Sequence, residues 1–180
     1  MIDEAQLLDE LKSETHKNRA FKVLLELYKE RLYWHIRNII KSHDDADDVL
    51  QNTFIKIFKN IDKFNGDSKL FSWMYRIATN ESITFINKKA KRLKVSNEEV
   101  QKLALSNLKS DVFFDGDHIQ LKLQKAIARL PQKQQLVFNM KYFEDLKYKD
   151  MSEILDTSEG ALKASYHIAV KKIEAYLSNN

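Results

Sequence analysis

The chain has 180 residues and a formal charge of +4, with 30 Lys and Arg against 26 Asp and Glu. It has no Cys, which excludes disulfides and thiolate metal sites and fits a reducing cytoplasm. Only three Gly and one Pro occur (Gly66, Gly116, Gly160 and Pro131), so few tight turns and long helices are expected. The first residues, MIDEAQLLDELKSE, are acidic and lack the apolar run of a signal peptide. Charge interrupts the apolar residues throughout, so no segment is expected to span a bilayer.

The length fits one domain or two small ones. In chain order, Phe21, Leu24, Leu25, Tyr28, Leu32, Ile36, Ile39 and Ile40 recur at helical spacing and predict a helix over 20–41. A second helix is expected to start within Asp44–Asp48 and run to about Ile61, with Val49, Leu50, Phe54, Ile57, Phe58 and Ile61 as its stripe. Asn65-Gly66-Asp67-Ser68 is turn chemistry, and a third helix follows from about Lys69 to Lys91. These elements make a first lobe, residues 1–92. Residues 93–117 read as a partly ordered linker with a short helix around Val100–Leu108. Phe113 and Phe114 are apolar enough there to dock on a partner.

The second lobe is expected over 118–180. Ile119, Leu123, Ile127 and Leu130 form one helical face that ends at Leu130-Pro131. A helix through Leu136, Val137, Met140 and Phe143 follows, then a short one at about Tyr148–Leu155. After a turn at Asp156-Thr157-Ser158 comes a long helix at about Glu159–Leu177. Thr157 or Ser158 suits its N-cap. A short helix, a tight turn and a longer helix make a helix-turn-helix. The fold class expected is therefore all-α, with two helical lobes and a linker.

Charge is segregated along the chain. Asp44, Asp45, Asp47 and Asp48 form a negative knot. From Arg76 to Lys94 a single acid, Glu81, stands against Arg76, Lys88, Lys89, Lys91, Arg92 and Lys94. The knot reads either as acids placed at a helix N-terminus, where the dipole favours them, or as a polar docking face completed by Gln51 and Asn52. A metal site is the third reading, but consecutive carboxylates on a helix diverge. The rings Phe64, Phe71, Trp73, Tyr75 and Phe85 sit beside the basic run. Rings that stack on bases, next to cations that hold phosphates, are what a single strand requires. Core burial is the plain alternative for each ring. On the last helix, Lys163, His167, Lys171 and Lys172 face outward with Glu159, where a major groove could meet them or where they are simply solvated. His16, His35, His43, His118 and His167 are scattered singly. No nucleophile with a positioned base and no phosphate-cradling glycine loop was found, so no catalytic residue, metal or cofactor is expected.

The motifs DADDVLQNTF, the block from DKFNGDS to WMYRIATN, and LPQKQQLVFNMKYFEDLKYKDMSEIL followed by SEGALKAS resemble the extracytoplasmic-function (ECF) sigma factors of bacterial RNA polymerase. The resemblance covers about Ala20–Arg92 and Leu121–Leu177. It implies that the first lobe is sigma region 2, that the second is sigma region 4, and that the partners are core RNA polymerase, promoter DNA and an anti-sigma factor, in the cytoplasm. Asp48, Gln51 and Asn52 would dock on the polymerase. Phe64, Trp73, Tyr75, Arg76 and Asn80, with the loop Asn65–Lys69, would capture unpaired non-template bases. Lys88, Lys89, Lys91 and Arg92 would steady the backbone, and Lys163, Ala164, Ser165, His167 and Lys171 would read the upstream element. The chain departs from the family's usual residues at Asn52 (an acid), Gln135 (Arg), Lys147 (Ser), and Ser165, Ile168 and Val170 (often Arg). A stand-alone helix-turn-helix regulator and a metal-dependent hydrolase built on the Asp knot are the rival readings.

Overall fold

A computed structural model of the chain describes residues 4–106 and 118–179. Among these residues every regular element is helical. Helix α1 (Glu4–Lys12), for which the sequence reading had no element, buries Leu7 and Leu11, one turn apart. Its Lys12 Nζ donates to the carbonyl of Phe64 at 2.7 Å, tying the amino-terminal segment to the loop after the third helix.

Helix α2 (Lys17–Ile40) buries Ala20, Leu24, Leu32, Ile36, Ile39 and Ile40. It stops at Lys41, whose φ of 66° closes the last turn by donating its N–H to the carbonyl of Arg37. Helix α3 (His43–Asn60) starts at once, because the Ser42 hydroxyl accepts from the Asp45 amide and Asp44 and Asp45 lie in the first turn, where the dipole favours them. It buries Ala46, Val49, Leu50, Thr53, Phe54 and Ile57. A 3-10 turn (Ile61–Lys63) and the loop through Gly66 lead onward. Gly66 has φ of 80°, in the left-handed region that glycine enters without strain. Helix α4 (Leu70–Leu93) turns Leu70, Met74, Tyr75, Ala78, Ser82, Ile86 and Ala90 inward. Helices α2, α3 and α4 pack on one another as a three-helix bundle.

Helix α5 (Asn97–Ser106) begins with a capping box: Ser96 N–H donates to Glu99 at 2.8 Å and Glu99 N–H donates to the Ser96 hydroxyl at 3.2 Å. The stretch expected as a linker is thus docked at its start. Val100 packs with Ile39, Ile86, Ala90 and Leu136, and the Gln101 amide donates to the carbonyl of Ile39. The docking expected of Phe113 and Phe114 lies outside the described residues.

The second lobe consists of α6 (His118–Ile127), α7 (Gln132–Tyr142), α8 (Tyr148–Leu155) and α9 (Glu159–Ser178). Ala126, Ile127, Leu130, Phe138, Ala169 and Ile173 form its own core. The lobe does not stand apart. Val137, Met140, Leu146, Met151, Ile154 and Leu162 join the same buried cluster as Leu24, Ile36, Met74 and Ala78 of the first lobe. Two of the departures from the family pattern have local consequences. Gln135 is buried and donates to the carbonyl of Leu130 at 2.8 Å, while Lys147 occupies the N-cap of α8 without a side-chain cap.

Candidate nucleic-acid and polymerase interfaces

Three surfaces carry the residues singled out by sequence. The first is the outer face of α3. Asp48, Gln51 and Asn52 are exposed, and Ile55 is 51% exposed one turn beyond. Spacing of three, four and seven places them on one helical face. Ile55 was not among the expected residues, although its register with Asp48 is the signal that could have found it. Beside this face a groove of about 550 Å³ is lined by Phe21, Leu25, Leu50, Phe54, Ile55 and Phe58, with Lys29 and Lys59 at its rim.

The four aspartates do not converge. Asp45 accepts from Lys89, Asp47 lies 3.6 Å from His43, and Asp48 points outward. Among the described residues no group of three or more His, Asp or Glu could hold a metal ion.

The second surface is a stripe along α4. Trp73, Arg76, Asn80, Thr84, Lys88 and Lys91 recur every three or four residues, so they share one side of the helix, with Lys69 just before it. Arg76, Asn80, Lys88, Lys91 and Arg92 are exposed and Trp73 is half-buried, its ring tilted on Phe64 at 5.3 Å. Two of the expected rings must be corrected. Phe64 is 3% exposed and Tyr75 is 2% exposed, and both belong to the main core. Tyr75 lies against Phe71, donates to the carbonyl of Arg31 at 3.4 Å, and burial pushes its phenol well above the usual range. Neither offers a face to a base. Aromatic content marked the segment, but only packing separates a stacking ring from a core ring. Lys89 is also corrected: it stands on the other side of α4, over Phe85 and bound to Asp45.

The amino-terminal end of this stripe is occupied. Lys69 Nζ donates to Asp150 Oδ1 at 2.5 Å, and Arg76 sends both Nε and Nη2 to the carbonyl of Glu153. Both acceptors are on α8. Behind them, His35 is 1% exposed, with Nδ1 3.0 Å from Glu144 Oε1 and Nε2 2.8 Å from Thr79 Oγ1. The Thr79 hydroxyl spends its proton on the Tyr75 carbonyl, so Nε2 is the donor to it.

The third surface is α9. Asp156, at φ of 48°, makes the tight turn after α8, and the Ser158 hydroxyl caps α9 by accepting from the Ala161 amide at 3.3 Å. Lys163, Ala164, His167 and Lys171 are exposed on one face. Ser165 is half-buried on the flank, and Lys172 turns away to donate to Gln134. The first four therefore share one exposed face of α9, and Ser165 does not.

Comparison with known proteins decides the family. The Sigma-70 region 2 family matches residues 24–92 and the Sigma-70 region 4 family matches residues 120–173, in the order and at the positions of the two lobes. The chain belongs to the ECF sigma factors. It is 29% identical to the ECF RNA polymerase sigma factor SigW of Bacillus subtilis over 157 residues, 82% of this chain and 83% of that protein. It is 25% identical to the RNA polymerase sigma-H factor of Pseudomonas aeruginosa over 175 residues, 88% of this chain and 86% of the relative. Among solved structures, CnrH in complex with the cytosolic domain of CnrY shares the fold with a TM-score of 0.70. The identity there is 20%, over 97% of this chain and 96% of that one. The sigma factor RpoE in complex with the anti-sigma factor NepR from Bartonella quintana gives 0.66, at 20% identity, over 88% and 96%. This chain is thus an RNA polymerase sigma factor, with α2–α4 as its region 2 and α6–α9 as its region 4. No described helix of this sigma factor is long and apolar enough to cross a membrane.

Proposed function

We propose that this sigma factor docks on core RNA polymerase through the α3 face of Asp48, Gln51, Asn52 and Ile55. It then directs the polymerase to promoters by two DNA contacts. The α4 stripe takes the unpaired non-template strand: Trp73 stacks on a base, Asn80 and Arg76 bond base edges and backbone, and Lys69, Lys88, Lys91 and Arg92 neutralise phosphates. The α9 face of Lys163, Ala164, His167 and Lys171 reads the upstream element in a major groove. The observation that carries this reading is the coexistence, in one chain, of a partly exposed ring on a basic helical stripe and a capped helix with its own polar face.

Magnitudes decide the division of labour. Stacking contributes about 1–3 kcal/mol per base, and each duplex step costs about 1.4 kcal/mol to open. One well-placed ring holds a base or two, but a bubble of many steps requires the polymerase as partner. The chain performs no chemistry of its own in this scheme and works in the cytoplasm, where the polymerase is. One structural neighbour, RpoE, was solved with the anti-sigma factor NepR bound, which supports an anti-sigma factor as a third partner.

Immunoprecipitation of the tagged chain, followed by identification of the co-purified subunits, tests this reading. Recovery of stoichiometric core polymerase supports it. Recovery of the chain as a free DNA-binding dimer without polymerase supports the helix-turn-helix regulator instead.

A further inference from the structure

We infer that α8 is an internal competitor for the single strand, and that the closed packing of the two lobes is a self-masked state of the sigma factor. The inference rests on the reading of the α4 stripe given above. On that stripe Lys69 and Arg76 stand where the strand would enter, and α8 fills both. The Asp150 carboxylate takes Lys69 as a phosphate oxygen would. The Glu153 carbonyl takes Nε and Nη2 of Arg76 together, the fork by which a guanidinium also grips a phosphate. One short helix therefore supplies an anionic and a neutral acceptor at the two cations that the strand needs.

What holds α8 there lies deeper. Glu144, just before α8, is engaged by His35, which is also bonded to Thr79 of α4. The Asn139 amide of α7 donates to the carbonyl of Asn38 at 2.9 Å. These bonds join the lobes across 101 and 109 residues of sequence.

The seam is also unfinished. Asn139 Oδ1, Glu153 Oε2 and Gln101 Oε1 are buried without a hydrogen-bond partner, and a small void of about 30 Å³ lies between Ile39, Ile86, Leu130, Gln135 and Leu136. Orphaned polar atoms weaken an interface. A permanent core would not collect them, whereas a contact that must open tolerates them. On the α9 face Lys163 lies over the Tyr148 ring of α8 at 5.6 Å, yet Lys163, His167 and Lys171 all remain exposed.

The test uses the full chain, whose lack of Cys allows two labels at introduced positions. Glu26→Cys and Glu174→Cys, both exposed, report the distance between the lobes by energy transfer. A fluorescein-labelled single-stranded oligonucleotide of mixed sequence reports binding by anisotropy. Adding unlabelled oligonucleotide should lengthen the label distance. Glu144→Gln should lengthen it without DNA and tighten oligonucleotide binding about tenfold, the gain expected if the open form is about a tenth of the population. Asn139→Ala should act in the same direction, which guards against a single variant that folds poorly.

A distance that does not change on oligonucleotide binding overturns the inference, because strand and α8 would then coexist. A lengthened distance with unchanged affinity overturns the competition. If the opened variants still fail to bind the oligonucleotide when core polymerase is present, the stripe reading fails, and the competition with it, while the clasp at Glu144 stands.

Discussion

Lys69 Nζ sits 2.5 Å from the carboxylate of Asp150, joining the loop before α4 to a helix 81 residues away. The Lys69 side chain is 55% exposed and that of Asp150 12%. Their hydrogen bond and mutual attraction raise the Lys69 ammonium above the usual range, yet solvent screens so open a pair. The buried partner of the same seam is the stronger one: the side chains of His35 and Glu144 are 1% and 11% exposed. Removing one member of a buried pair leaves the other unpaired, at a cost of about 3 kcal/mol. Removing the solvent-screened Lys69 costs far less. His35→Ala should thus lower stability clearly more than Lys69→Ala, as read by urea unfolding.

A second prediction concerns pH. Burial, and then the positive charge of Arg37, lower the Lys41 amine from 10.5 to about 7. Its Nζ is buried without a hydrogen-bond partner. Between these values the unfolded chain binds a proton that the native chain releases, so stability from this group rises with pH from about 7 to about 10.5. Below about 7 the cost of the buried charge is fully present. Lys41→Met removes the titrating group and keeps most of the stem. It should stabilise the chain by a few kcal/mol (on the order of 2–4) at pH 6.5 and by much less at pH 10. Unfolding at both pH values measures the difference, and a pH-independent offset would refute the assignment.

The bundle was legible because α2, α3 and α4 each carry a long apolar stripe at helical period, and α9 carries both stripe and cap. Helix α1 was not, since Leu7 and Leu11 are two residues in an acidic segment and acquire meaning only beneath α2. The basic stripe was legible from Arg76, Lys88, Lys91 and Arg92. The fates of Phe64 and Tyr75 were not, because a ring has the same sequence signature in a core as on a stacking platform. The pairing of His35 with Glu144 left no local trace: contacts 109 residues apart are a property of the packed chain alone.

The docking face makes a separable prediction. Ile55 is 51% exposed, so Ile55→Glu removes little buried area and should change stability by less than about 0.5 kcal/mol. It places a charge at the centre of the α3 face and should abolish co-purification of core polymerase. Binding of duplex DNA through α9 should persist. Retained polymerase recovery would remove α3 from the interface.

On the DNA side, Trp73→Ala should weaken capture of an unpaired strand by the polymerase complex about 5- to 100-fold, the value of one stacked base. Replacing Lys88, Lys91 and Arg92 together by Ala should instead act through salt. Each phosphate neutralised on a single strand contributes about 0.7 to the slope of log affinity against log salt. Loss of three contacts should therefore flatten the slope by about 2, as seen in anisotropy titrations over a range of salt. An unchanged slope would mean that these cations do not meet phosphates.

The most direct test is permanganate footprinting of promoter DNA selected by the complex of this sigma factor with core polymerase, since permanganate oxidises thymines that have left the duplex. Reactive thymines should appear only when chain and core polymerase are both present, and should vanish with Trp73→Ala and with Ile55→Glu. Reactive thymines produced by the chain alone, or none when the complex is bound, would contradict the account.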